Sequence, residues 1–310
     1  MRSATHSNVP RDITILMPGE FELIDWIRAQ QRATERVPLS AGDDLATLQF
    51  SAADGLILVG VDQVLDGVHF DALAHAPERI GRKAMNRNLS DCAAMACLPA
   101  AAVVSFALPH GTSVDWTKRL YDGIRQAGEA FDCPIVGGDT GVWDGKLAVT
   151  VAILGRAAGV TPVRRNGAKP GDAVYVTGPL GGSILGRHLD FVPRVREARE
   201  LVGHHRINAM IDLSDGLSRD AAHLARESAV GIVLDAAAVP IHADVARMTD
   251  GRPPLDHALH DGEDYELCFT GEPGIQAAIR VGMVEAGQGL WIEDERGRRP
   301  LESGAFEHRF

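Results

Sequence analysis

The chain has 310 residues, 45% hydrophobic and 24% charged, and its 42 acidic against 31 basic residues give a formal net charge of -11. Disorder throughout is excluded, there is material for one large or two medium cores, and the acidic balance without a Lys/Arg run disfavours nucleic acid as a partner. No apolar run reaches the roughly 18 to 20 residues of a membrane helix, and the first residues lack a signal peptide's apolar region, so a cytoplasmic protein with no membrane partner is expected.

The first 18 residues are polar and irregular and read as a flexible tail. A helix opens at Gly19-Glu20, with Phe21, Leu23, Ile24 and Ile27 on one side. A strand, Leu56 to Val59, follows the Asp54-Gly55 turn, a helix starts at Pro77 and runs to about Ala96, and a strand covers Ala101 to Leu108. Val114 to Phe131 reads as helix, Cys133 to Val136 as a short buried strand and Leu147 to Leu154 as a β-rich run. Gly155 to Gly171 gathers Gly, Pro and Arg without periodicity and is the expected boundary, giving domains 19–158 and 159–310.

Beyond it, strands are expected at Ala173 to Thr177, Ile207 to Ile211, Gly231 to Leu234, Tyr265 to Thr270 and Gly289 to Glu293. Helices are expected at Ser183 to Leu189, Asp215 to Glu227 and near Gly274 to Val284. The class is α/β, with mixed α+β sheets rather than strict βαβ alternation. Cys92, Cys97, Cys133 and Cys268 form no CxxC pair and read as buried thiols.

No GxxxxGK[ST] loop, strand-linked GxGxxG, HExxH or GxSxG is present. A series of aspartates stands instead where strands end or helices begin: Asp44, Asp62, Asp91, Asp139, Asp212 and Asp215. Turn and cap preferences explain any one of them but explain the set poorly. Hard oxygen ligands converging from several segments are what magnesium requires, with water and phosphate completing its octahedron. Asp91 has a structural competitor for its role, because Arg87 lies four residues earlier on the same helix. Ser214 or Asp215 could equally cap a helix, His69 could be a strand-end histidine, and Glu263 could be a solvated turn residue.

Taken in order, GDDLATL, VDQVLDGVHF, KAMNRNLSDCAAMA, VGGDTG, RNGAKPGDAVYVTGPLGG, IDLSDGLSRD and DGEDYELCFT resemble the thiamine-monophosphate kinase family. This family lies within the superfamily of aminoimidazole-ribonucleotide synthetase. The resemblance implies a two-domain fold whose N-terminal sheet is completed across a homodimer. It also implies transfer of the γ-phosphoryl of ATP to thiamine monophosphate. By motif, Asp44, Asp62, Asp91, Asp139, Asp212 and Asp215 would hold several Mg2+ ions. Gly138, Asp139, Arg165 and Ser214, with Tyr121 nearby, would contact ATP. His69, Glu263 and Phe306 would line the thiamine site, although Phe306 could also be a hydrophobic plug near a chain end. No covalent nucleophile is expected.

Four residues, at three places, depart from the family pattern. Gly60-Val61 stands where a Ser/Thr-Thr pair supplies a metal-binding hydroxyl, Gly141 where a second Thr often follows GGDT, and Gly182 where an Asp is common. These departures motivate two alternatives: another ATP-using enzyme of the superfamily acting on a different substrate, and a catalytically silent nucleotide-binding homologue.

Overall fold

The computed structural model describes residues 20–38 and 46–302. In chain order the elements are α1 (Glu20–Gln30), β1 (Ile57–Leu65), α2 (Pro77–Ala94), β2 (Leu98–Pro109), α3 (Val114–Glu129), β3 (Ile135–Trp143) and β4 (Ala148–Arg156). They continue as β5 (Ala173–Val176), α4 (Arg187–Asp190), α5 (Val195–His204), β6 (Ile207–Asp212), α6 (Leu217–Ser228) and β7 (Gly231–Asp235). The last are α7 (Pro254–His260), β8 (Leu267–Gly271), β9 (Ile279–Glu285), β10 (Gly289–Asp294) and β11 (Gly297–Pro300).

The strands form two mixed sheets, of order β1-β4-β2-β3 and β11-β10-β7-β9-β5-β8-β6. Among the strands described, β2–β3 and β7–β10 pair in parallel and the other pairs are antiparallel. Layers follow from which strand faces are apolar. Val64, Val104, Val149, Val151 and Ile153 of the first sheet pack on α2 and α3, and the same core takes in Tyr175, Met210, Leu267 and Phe269 of the second sheet with Leu201 of α5. Alternate residues of those second-sheet strands, Val174, Val176, Ile211 and Cys268, pack instead on Leu217, Ala221 and Leu224 of α6. Helix α2 is thus enclosed between the sheets.

The mixed class is as expected, and all four thiols are buried and free. Several expectations need correction. Residues 274–284 are not helical; they lead into β9, where a bulge opposite Val174-Tyr175 breaks the alternation that would have marked a strand. β1 continues through Asp62 to Leu65, and β3 continues through the Gly137-Gly138-Asp139 segment to Trp143. The helix expected at Ser183 to Leu189 is a 3-10 turn, Ser183–Leu185, followed by α4, with Gly186 between them at φ 128°. Helices α5 and α7 were not expected.

The α2–α3 crossing is set by glycine. A Cβ on Gly81 would lie 2.1 Å from the Leu120 carbonyl oxygen, and one on Gly123 would lie 2.1 Å from that of Glu78. Backbone cannot yield as a side-chain tip can. Gly123→Ala should therefore lower stability by about 1–3 kcal/mol, read as a lower urea midpoint at unchanged slope.

Candidate active site

One stripe of α2 carries Lys83, Arg87 and Asp91 at four-residue spacing, with Ser90 beside Asp91. The stripe faces Asp62 on β1 and Asp212 at the end of β6. Arg87 does not pair with Asp91 as the helical spacing allowed; its Nε donates to Asp62 Oδ2 at 3.0 Å. Asp212 is buried and accepts from Ser90 Oγ at 2.7 Å. Burial first, then the negative charges of Asp212 and Asp62, push the Asp91 carboxyl up to about 8. Burial also raises Asp212, opposed by the Ser90 hydroxyl and by the positive charge of Arg165.

Three carboxylates from three elements therefore repel one another across one space, with Arg165 near two of them. Such a donor set fits a divalent cation that carries some of its own oxygens. Among the described residues no three His, Cys, Asp or Glu side chains stand together closely enough to hold an ion alone, so water and phosphate would have to complete the shell.

The turn after β6 brings in the next group. Helix α6 begins at Leu217, with Gly216 at its cap position and φ 109°, so neither Ser214 nor Asp215 caps it. Asp220, which sequence reasoning passed over, accepts from the amides of Asp215 and Gly216 at 3.1 Å each and shapes the turn from inside. Its carboxyl is raised by burial and by Asp212 and Asp215. Asp215 is partly exposed, 3.9 Å from Arg219. Ser214 and Asp215 line a cleft of about 200 Å3 together with His69, Arg87, Glu263 and Tyr265.

Glu263 and Tyr265 sit in the left-handed region, at φ 54° and 52°, next to Gly262 at 74°. For residues with side chains this is costly and needs support. It is supplied by Glu263 N–H to the Ser214 carbonyl (2.8 Å), Tyr265 N–H to that of Leu213 (2.9 Å) and Ser183 Oγ to that of Gly262 (2.7 Å). Burial works against ionisation of Glu263, but the Lys83 ammonium, by its charge and its hydrogen bond, holds the carboxyl below the usual carboxylate range. His69 is half-buried, its Nδ1 accepting from the Leu65 amide at 3.1 Å.

The remaining site residues lie elsewhere. Asp139 is exposed on β3, paired with Ser105, in the lateral row Gln63, Thr150, Ser105, Asp139. Asp62 belongs to the adjacent row, Asp62, Val151, Val104, Gly138, whose valines face the helices. Neighbouring rows point to opposite faces, so Asp139 projects away from the Asp62 cluster. Gly138 itself is explained by crowding, since a Cβ there would meet the Val104 carbonyl oxygen at 1.9 Å. Tyr121 is buried in α3 with its ring edge-on to Trp26, 5.8 Å between centroids, and does not line the cleft. Asp44 and Phe306 lie outside the described residues. Arg87 was missed as a cleft residue, although the spacing of residues 83, 87 and 91 carried the signal.

Because the folded-state pKa of Asp91 is raised, the folded protein binds the proton more tightly than the unfolded chain does. Ionised Asp91 therefore costs stability, increasingly as pH climbs from about 4 to 8. Asp91→Asn should raise the Tm of the metal-free protein by roughly 2–6 °C at pH 8, the gain shrinking toward pH 4, as calorimetry in chelator would show.

Residues 42–157 match the family model described as AIR synthase related protein, N-terminal domain. The thiamine-monophosphate kinase of Rhodopirellula baltica is 38% identical over 290 residues, 88% of this chain and 91% of that one. That of Escherichia coli K12 is 33% identical over 87% of each. Among solved structures, the thiamine-monophosphate kinase of Stenotrophomonas maltophilia K279a has a TM-score of 0.77 at 31% identity, covering 88% of this chain and 96% of that one. AaThiL complexed with AMPPCP and TMP has a TM-score of 0.75 at 29% identity, covering 97% and 100%. Similarity at that level along nearly the whole length means that the chain belongs to the thiamine-monophosphate kinase family.

Proposed function

We propose that this chain transfers the γ-phosphoryl group of ATP to the phosphate of thiamine monophosphate, giving thiamine diphosphate and ADP. The observation that carries the reading is one cleft lined by residues from both motif sets, Ser214 for the nucleotide and His69 and Glu263 for thiamine, beside the carboxylate cluster. Two polyanions must meet against Asp62, Asp91, Asp212 and Asp215. These carboxylates, with Asp44 and Asp139, would hold Mg2+, which when bound neutralises charge between protein and phosphates. Arg165 and Ser214 then orient ATP, while His69 and Glu263 orient the acceptor. Because the phosphoryl transition state is loose, positioning and charge balance suffice. Direct in-line transfer needs no protein nucleophile.

We further propose that the site is completed by a second copy of the chain. Asp139 lies on the sheet face opposite Asp62 and three strands away, roughly 14 Å at about 4.8 Å per strand. That face also carries Val59 and Val61, 81% and 63% exposed, with Val103 two strands away in the same lateral row as Val61. An apolar face of this kind favours a partner. The reading divides the chain at 158/159 into an N-terminal ATP/Mg2+ and dimerisation domain and a C-terminal domain. Four unpaired thiols fit a cytoplasmic location, and no helix among the described residues is long and apolar enough to cross a membrane.

Thiamine diphosphate and ADP should form in equal amounts from ATP and thiamine monophosphate with Mg2+. No product with ATP binding intact would overturn the assignment and promote the silent homologue. Asp62→Asn or Asp139→Asn should each cut kcat by about a hundredfold or more while leaving the dimer folded. If each site takes Asp62 from one chain and Asp139 from the other, co-refolding the two variants should restore about a quarter of wild-type activity. Half the dimers are then mixed, and each has one intact site. A site built within one chain would restore none.

A further inference from the structure

Lys83 is completely buried, yet it is not left uncompensated. Its ammonium lies 2.6 Å from the His69 carbonyl oxygen, 2.6 Å from Glu263 Oε2 and 2.7 Å from His188 Nδ1. Three donors meet three acceptors, which saturates a lysine. His188 Nδ1 is also 3.1 Å from Glu263 Oε2. One ring nitrogen cannot accept from Lys83 and donate to Glu263 at once, and the ammonium, which has only donors, claims it. His188 is itself 2% exposed, so its ring forms a wall against which the ion pair is fixed.

These contacts tie together elements distant in sequence. Lys83 comes from α2, His69 from the turn after β1, His188 from α4 and Glu263 from the left-handed loop before β8. The two residues assigned to thiamine therefore share one buried cation, which holds Glu263 by its carboxylate and His69 by its main chain. Among the described residues the Glu263 carboxylate also has a looser ion pair with Arg87, whose Nη1 is 4.0 Å from Oε1.

We propose that Lys83, backed by His188, is the positioning residue of the thiamine pocket, locking the Glu263 carboxylate and the His69 turn into one arrangement for the acceptor. The proposal rests on the reading of Glu263 as a thiamine-facing residue, and the test separates the two. Steady-state kinetics would be measured for wild type, Lys83→Met, Glu263→Gln and the double variant, varying ATP and thiamine monophosphate separately. Lys83→Met should raise KM for thiamine monophosphate about tenfold or more while KM for ATP stays within about twofold. On the Glu263→Gln background, Lys83→Met should add little, because residues acting through one another are not additive.

Lys83→Met alone leaves a buried carboxylate unpaired and can fail to fold, whereas the double variant removes both charges. The comparison of Glu263→Gln with the double variant then carries the test. An unchanged KM for thiamine monophosphate in folded Lys83→Met, a parallel rise for ATP, additive effects, or failure of the double variant to fold would each overturn the positioning role. Glu263→Gln without effect on that KM would overturn the thiamine-facing reading and the proposal with it.

Discussion

Helix α2 is enclosed between two sheets, and that enclosure constrains everything else in the molecule. A helix buried on all sides is normally apolar all round. α2 instead buries Lys83, Asn86, Asn88 and Ser90, and each must find a partner or cost about 1–3 kcal/mol or more. Asn88 turns back on the Ala84 carbonyl (3.0 Å), but the others reach outward: Asn86 to the Phe191 carbonyl (2.6 Å), Ser90 to Asp212 and Lys83 to Glu263. All three outward partners belong to the second half of the chain. The polar groups of one helix therefore set how the halves meet. Arg82 also bridges the halves through Asp190 at 3.0 Å, but both side chains are well exposed, and such a pair is worth about 0–1 kcal/mol. Removing one partner of a buried pair such as Lys83–Glu263 costs about 3–5 kcal/mol. The buried contacts decide the geometry.

The second constraint is the pleat of the first sheet. Its inner rows are spent on the helices, and Asp62 uses the inner direction at the edge strand to meet Arg87. Asp139, one residue out of step with Gly138, is sent to the outer face with Gln63, Thr150 and Ser105. A one-residue change in register would exchange these roles completely. Gly138 protects that register, because the β2 backbone passes too close for any side chain at that position.

Much of this was legible in the sequence. Ordered motifs singled out Asp62, Asp91 and Asp212, which the fold brings together, and apolar alternation located most strands, since both are local patterns. What escaped depends on contacts between segments far apart. Asp62 reads as following a strand, yet it lies within one, because pairing with Val151 extends β1 beyond its apolar stretch. Residues 274–284 look helical because a bulge hides the two-residue period. Arg87 looks like the partner of Asp91 because helix spacing is visible and Asp62, 25 residues away, is not. Lys83 and His188 carry no motif of their own; only the fold makes them neighbours.

The departure at Gly60-Val61 also takes on a definite meaning once the pleat is known, because its two positions are not equivalent. Gly60 is on the inner face, where a Cβ would stand 3.8 Å from Asp91 Oδ2 in ordinary contact, so a side chain there would fit and would address the carboxylate cluster directly. Val61 is on the outer face, where its side chain adds apolar area to that of Val59, with Val103 in the same lateral row across β4. A glycine at the inner position offers no side-chain oxygen to the cluster, but the means of balancing charge are present. Arg87 stands against Asp62, and the field of Arg165 reaches Asp91 and Asp212. Two fixed cations thus face three carboxylates, so part of the cluster's negative charge is balanced by the protein's own side chains.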